Sequence, residues 1–517
     1  MNRYPWTVGA LLGLFTLLAL PSLPACTKYL DKSPNSDLNI EVDSEEKIAE
    51  LLTGAYPTAS YIPFLEPRTD NVGFRPYGEQ SRLNEAMYFW EDYDQEDLDT
   101  PLNYWSACYR GIAQVNIALE LLTKYPKTER IKALYGEAFL LRAYLHFMLV
   151  NIWAEPYRGA DDLHPGIPYL KSPEKHAMVD YDRATVAKVY EEIEADLKLG
   201  ISLVNDRFYR HPKFHFNKKA AYAFASRFYL HKGEWQKVVD YANYVLGGDP
   251  KSELRHWTEY QKQYDFARPQ LFESYTSALE PANLLLCATE SRWARELPRV
   301  QYGPTKESVE AIFDKKGIEN GGNFKRLNQS SSYLFTPSPL PLKVGRYISK
   351  FDEVRSILDS GLKPRGLYVT NVLLTTDEVL LNRMEALAML GEYNKAIDDL
   401  QEYTRGKFGF TPYVERSIYL TTNPQNYQVY SPYYPLTIKQ LAFVKLVLDF
   451  RQKEFYQEGL RWLDIRRFHL SVARDSKSKY YFPLEKDDPR KLLQIPNEAI
   501  KRGLQPNPRE RKELDRK

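Results

Sequence analysis

Between Tyr61 and Tyr93 the chain gathers the residue types that grip a sugar. Flat aromatic faces stack on the apolar side of a pyranose ring, and Asp, Asn, Arg or Gln around them take its hydroxyls. Tyr61, Phe74, Tyr77, Phe89, Trp90 and Tyr93 supply the faces, and Asp70, Asn71, Arg75 and Arg82 the polar groups. A later segment adds Trp293, Arg295, Tyr302 and Asn323. Tyr77, Trp90 and Trp293 are the expected stacking platforms, with Asp70, Asn71, Arg75, Arg82 and Tyr302 as the other expected contacts. The competing reading of each aromatic is that it packs a loop onto the body of the protein.

Two other constellations carry less. EDYDQEDLD at Glu91 to Asp99 places acids at calcium-loop positions 1, 3 and 5 counted from Asp92. Position 6 is Asp97 instead of glycine and position 12 is Asn103 instead of glutamate, so this is not an EF-hand. A solvated acidic loop leading into a helix at Pro101 fits better, and no cofactor is implied. His211 and His215 stand four apart, but Pro212 lies between them and no Glu sits at the usual offset for a metal helix. No G-x-S-x-G, P-loop or dinucleotide-binding glycine motif is present. No pair among the 68 acids is singled out for glycoside cleavage.

The elements that must hold the aromatic loops read as helices. Ser44 is an N-cap for a helix to about Tyr56. Apolar spacing at i, i+3, i+4 and i+7 predicts helices over Tyr104–Leu122, Ile131–Trp153, Thr185–Leu203 and Lys218–His231. Thr375–Leu390 and Thr437–Phe468 extend the set, and Pro57 to Thr100 reads as loop. KGEWQKVVDYA from Lys232 and LGEYNKAIDDL from Leu390 share Gly-Glu-aromatic-x-Lys-apolar-apolar-Asp. The glycine permits a tight turn and the aromatic wedges into the next helix, an arrangement like tetratricopeptide hairpins. Residues 251–370 break the helical pattern and read as an irregular insertion with a small sheet. Asn423 to Pro435 carries four tyrosines in a second loop.

The first residues read as an address. Arg3 precedes the apolar run 8–20, which suits a signal h-region and is shorter than the roughly 20 residues of a spanning helix. Leu23-Pro24-Ala25-Cys26 follows, so Cys26 is the expected lipidation site and residues 26–43 a tether. Cys108 and Cys287 are no disulfide framework; whether they pair stays open. Net charge is +2, from 70 basic and 68 acidic residues, which speaks against a nucleic-acid partner. The 39 tyrosines suit partly wet recognition surfaces.

RQKEFYQEGLRWLDIRRF at Arg451 to Phe468 reads locally as one amphipathic helix, with Glu458 and Arg461, and Asp464 and Arg467, paired at i+3. The string resembles the signature helix of the SusD/RagB family. Further segments resemble that family in order: WSACYRGIAQVNIALE from Trp105, GEAFLLRAYLHFMLVNIWAEPY from Gly136, KAAYAFASRFYLHKGEWQKVVDYA from Lys219, DEVLLNRMEALAMLGEYNKAI from Asp377, and IPNEAI with QPNP near the end. Asn382-Arg383-Met384 departs from the family's small or apolar residues.

The resemblance implies a mostly α fold, with tetratricopeptide-like hairpins forming a superhelical body under an irregular capping lobe. It divides the chain into a leader at 1–25, a tether at 26–43, an N-terminal helical region at 44–250, the insertion at 251–370 and a C-terminal region at 371–517. It implies a lipoprotein on the outside of the outer membrane that binds a glycan without changing it and passes it to a SusC-like TonB-dependent transporter. Three alternatives stand beside it: a peptide-binding uptake protein, a lipid-anchored glycan hydrolase, and a tetratricopeptide scaffold.

Overall fold

The starts of seven of the longer helices share one device. The side chains of Ser44, Thr100, Thr128, Thr185, Asn217, Thr375 and Thr437 each accept the backbone N–H three residues on. Each cap satisfies a donor that a helix start leaves orphaned. The helices they open are Glu45–Thr53, Pro101–Leu122, Glu129–Trp153, Val186–Leu203, Lys218–Lys232, Thr376–Met389 and Ile438–Glu454. The second and third begin earlier than apolar spacing suggests, because Pro101 suits a first turn and Thr128 caps three residues ahead of the first apolar position, Ile131.

The computed structural model describes residues 44–174, 181–263, 271–313, 336–337, 346–355, 367–408, 430–474 and 483–509. The leader, Cys26, the tether, Asn323 and residues 423–429 of the tyrosine-rich loop lie outside them. Apart from Glu174, the described residues belong to one compact unit.

Helices that follow one another in the chain pack against each other. Pro101–Leu122 lies on Glu129–Trp153, which also packs against Val186–Leu203. The second contact is close: a Cβ at Gly200 would fall 2.5 Å from Leu140 Cγ. Glu129–Trp153 is apolar and long enough to cross a membrane, but 89% of its apolar window is buried inside the protein, as in a core helix. The two repeats adopt the same turn. Gly233 and Gly391 both take φ of 77°, and Trp235 and Tyr393 open the helices Trp235–Leu246 and Tyr393–Phe408. Thr376–Met389 packs against both members of the earlier hairpin and so joins the two repeats.

The insertion supplies a three-stranded antiparallel sheet in the order Asn283–Glu290, Leu367–Thr375, Glu353–Arg355. The stretch Pro57 to Thr100 is less of a loop than expected. It holds the short helices Ile62–Leu65 and Glu66–Arg68, and the helix Arg82–Tyr88 capped by Ser81.

The segment 451–468 is not one helix. It breaks after Glu454 and restarts as Leu460–Arg467. Gln457 and Gly459 stand at φ of 69° and 74° in the left-handed region. The Glu66 carboxylate accepts the backbone N–H of both, at 3.0 and 2.9 Å. The expected i+3 pairs hold only in part. Asp464 does pair with Arg467 at 3.0 Å, but Glu458 pairs with Lys350 at 2.7 Å and Arg461 with Asp70 at 2.8 Å.

Candidate functional site

The two segments rich in sugar-binding residue types meet. Gly73–Phe74 pairs antiparallel with Tyr302–Gly303, and Glu79 bridges Val300. Arg75 is the clamp of this junction. Its Nε donates to Val300 O at 2.8 Å, Nη1 to Pro298 O at 3.1 Å and Nη2 to Leu297 O at 3.1 Å. Burial pulls its guanidinium down to about 10. Tyr302 stacks on Tyr88 at 4.2 Å and meets Phe89 edge-on at 5.4 Å, with Phe74 at 5.8 Å. Asn84 closes the nest, donating to Tyr302 O and accepting Tyr302 N–H at 2.8 and 2.9 Å. Desolvation pushes the Tyr302 phenol up to about 12.

This nest carries an exposed rim. Tyr77 is 66% exposed. Arg82 reaches into solvent beside Glu85, 3.5 Å away. Arg299 and Glu79 face each other at 3.7 Å on the same pair of strands. One aromatic face with guanidinium and carboxylate groups near it can stack a sugar ring and hydrogen-bond its hydroxyls.

The other expected contact residues lie below that surface. Trp90 is 2% exposed, at φ of 57°, and donates its indole N–H to Arg68 O at 2.9 Å. Arg474 and Arg490 stand over its ring at 4.5 and 5.5 Å, so it offers no open face. Trp293 is also buried, and its chain neighbour Arg292 pairs with Asp97 at 2.8 Å. Placement of both as open stacking platforms is therefore corrected: burial makes them supports. Asp70 is held bidentately by Arg461 at 2.9 and 2.8 Å. Asn71 is fully buried, donating to Glu66 Oε1 at 2.9 Å and accepting from Gln452 Nε2 at 3.0 Å. Asn71, Arg75 and Tyr302 likewise act as scaffold under Tyr77 and Arg82.

Glu66, Gln452, Gln457 and Arg461, which tie the loop from below, escaped sequence reasoning. Their partners are hundreds of residues away, and no local signal marks them. Burial pushes the Glu66 carboxyl up to about 7, against the lowering effect of Asn71, Gly459 and Gln457 N–H groups and Lys350.

The acidic loop serves as a set of anchors. Asp92 pairs with Arg509 at 2.8 Å, Asp94 accepts Asn497 N–H at 3.1 Å, and Asp99 accepts Arg292 N–H at 2.8 Å. Among the described residues no three His, Cys, Asp or Glu side chains converge as a metal site would require. His211 is exposed, and His215 bonds the buried Glu137 at 2.8 Å. Cys108 and Cys287 are free and buried, and desolvation pushes the Cys287 thiol up to about 12. An open depression of about 550 Å³ is lined by Arg158 to Pro165; it contains none of the expected contact residues.

Comparison with known proteins gives a consistent result. A family described as "Starch-binding associating with outer membrane" matches residues 28–230, and one described as "SusD family" matches residues 375–502. A curated relative, SusD-like protein P2 of Formosa agariphila, is 24% identical over 165 residues. That match covers 31% of this chain and only 30% of the relative's length. Similar solved structures include a SusD superfamily protein of Bacteroides thetaiotaomicron (TM-score 0.63, 18% identity, 90% of this chain and 100% of that one). A SusD superfamily protein of Bacteroides vulgatus gives TM-score 0.63 at 19% identity, over 90% and 97% of the two chains. A SusD-like carbohydrate binding protein of Bacteroides vulgatus gives 0.60 at 16% identity, over 86% and 89%. At these identities the structures speak for the fold.

Proposed function

The chain belongs to the SusD/RagB family, and from that premise we propose that it captures a glycan at the outer membrane without cleaving it. The observation that supports this most is the joined rim of 73–79 and 299–303. There Tyr77 stands 66% exposed, three residues after Phe74 of an aromatic nest with Tyr88, Phe89 and Tyr302, and the exposed pairs Arg82–Glu85 and Arg299–Glu79 belong to the same segments. An exposed aromatic face with charged groups in the same segments binds by stacking and hydrogen bonding. In this reading Cys26 carries the lipid anchor, the protein faces outward, and a SusC-like TonB-dependent transporter receives the glycan. The starch-binding description of the matching family makes α-1,4-linked glucose oligomers the first class to test.

The test is calorimetry of a maltooligosaccharide series and of mixed peptides, with product analysis of the same mixtures. Saturable binding of the oligosaccharides without cleavage is expected. Tyr77→Ala should weaken it by about tenfold, as loss of one stacking face at a partly wet site would. Peptide binding in its place, or any turnover, would remove the glycan-capture reading.

A further inference from the structure

We infer that Glu66 is a proton-operated positioning residue: as a carboxylate it locks the 69–75 loop onto the turn at 455–459, and on taking up a proton it loosens its hold on Gly459. The lock itself stands on geometry; its effect on capture rests on the ligand rim proposed above.

Three N–H groups converge on one fully buried carboxylate. Asn71 Nδ2 and Gln457 N donate to Oε1 at 2.9 and 3.0 Å, and Gly459 N donates to Oε2 at 2.9 Å. From the same residue the loop is built outward. Thr69 Oγ1 donates to Glu66 O at 2.8 Å, and Asn71 N donates to Thr69 Oγ1 at 3.1 Å. Arg75 and the Tyr77 rim follow directly in the chain. On the far side, Gln457 carries the connection onward, because its Oε1 accepts Ile348 N–H at 3.0 Å. One side chain therefore joins the loop, the turn and the insertion.

An ionised carboxylate accepts all three donors strongly; a neutral carboxyl accepts them more weakly and adds an O–H donor of its own. With Oε1 accepting twice, the proton falls on Oε2, whose hydroxyl oxygen is a much weaker acceptor than a carboxylate oxygen. The Gly459 N–H bond is then weakened. Gln457 and Gly459 both hold left-handed φ values, which persist only where surrounding bonds impose them.

The charged and titratable groups around Glu66 are few and mostly committed elsewhere. Lys350 Nζ donates to Glu454 O, Tyr456 O and Glu458 Oε1 at 2.6, 3.0 and 2.7 Å, so it acts on Glu66 only through space. The Tyr456 phenol is buried nearby, and the Asp70–Arg461 pair borders the loop. Arg68 lies in the same short helix, with its guanidinium over Trp462 and donating to Arg490 O. No arginine or lysine bonds the Glu66 carboxylate among the described residues. Burial dominates and holds it up at about 7, inside the range a cell surface meets.

The sign has an unusual consequence. The folded value stands above the ordinary 4.5. This group's contribution to global stability is therefore fully present below about 4.5 and lost as pH rises through about 7. Its bonds to the turn are complete only above that same value. Local order and global stability move in opposite directions with pH.

Amide hydrogen exchange of the full chain, followed by mass spectrometry at pH 6 and 8 with the intrinsic rate corrected, tests this without any ligand. Protection over 455–463 and 69–75 should be roughly five- to tenfold higher at pH 8, the worth of one buried hydrogen bond. Glu66→Gln, whose amide cannot accept all three donors, should show low protection at both values. Equal protection in the unaltered protein at the two pH values overturns the proposal, and so does a folded Glu66→Gln protein that keeps the pH dependence. If the variant does not fold, the profile of the unaltered protein decides alone. Because no sugar is present, failure here is separate from failure to bind maltooligosaccharides.

Discussion

The rim around Tyr77 and the segment 451–468 are both rich in charged and aromatic residues, yet they use them in opposite ways. At the rim, Arg82, Glu79 and Arg299 stand in water and their pairs are loose, at 3.5 and 3.7 Å. In the signature segment Arg451, Glu454, Glu458, Arg461, Asp464, Arg466 and Arg467 are all buried, and every carboxylate has a cationic partner within 3.0 Å. A charge taken out of water persists only when paired or hydrogen-bonded, whereas exposed pairs are worth little. Density of charge in a sequence therefore does not mark a surface. What separates the two regions is the number of long-range partners waiting for each group.

That contrast can be broken from either side. The largest effect should come from Asp464→Ala. It removes the acceptor shared by Arg451 and Arg467, each 3.0 Å away; Arg467 keeps Glu385 at 2.6 Å, but the buried Arg451 guanidinium is left with Asn382 and no bonded carboxylate among the described residues. A loss of about 3–5 kcal/mol is expected in denaturant unfolding. The neighbouring cations hold the Asp464 carboxyl below the ordinary carboxylate range. Its contribution is therefore present above about pH 4 and lost as pH falls through the lowered value.

Gly459→Ala should cost less, about 1–3 kcal/mol, since an L side chain resists φ of 74°. Its Cβ would also stand 3.3 Å from Leu65 Cβ. The same denaturant unfolding experiment measures it, and an unchanged midpoint would mean that the turn relaxes without strain. At the rim, Arg82→Ala should change stability by less than about 0.5 kcal/mol. If it weakens maltooligosaccharide binding while leaving the melting curve in place, the contrast is sharpened: one region spends its charges on the fold, the other on contact. If instead it melts the protein by several degrees, the rim is structural after all.

Much of the body was legible because its causes are local. Apolar periodicity located the long helices, and Gly-Glu-aromatic repeats located two hairpins whose glycines share one φ of 77°. The meeting of the Tyr77 loop with the insertion was legible only as two pools of similar residues. What stayed hidden depends on distance along the chain. Nothing in FYQEG forbids a helix; the break at Gln457 is imposed by Glu66, 391 positions away. Arg461 looked like a partner for Glu458 at i+3 and instead bonds Asp70, also 391 positions away. Trp90 reads as a platform by type, and only Arg474 and Arg490 reveal that its faces are taken.

The bond between Glu66 and Gly459 also sets a timetable. A chain made from its N-terminus presents Glu66 long before residue 459 exists, so the loop near Tyr77 lacks this anchor during most of synthesis. Closing so large a loop is slow compared with forming the local hairpins between them. The rim around Tyr77 is thus among the last parts to set, and a protein truncated before the turn at 455–459 would carry hairpins but an unfinished rim.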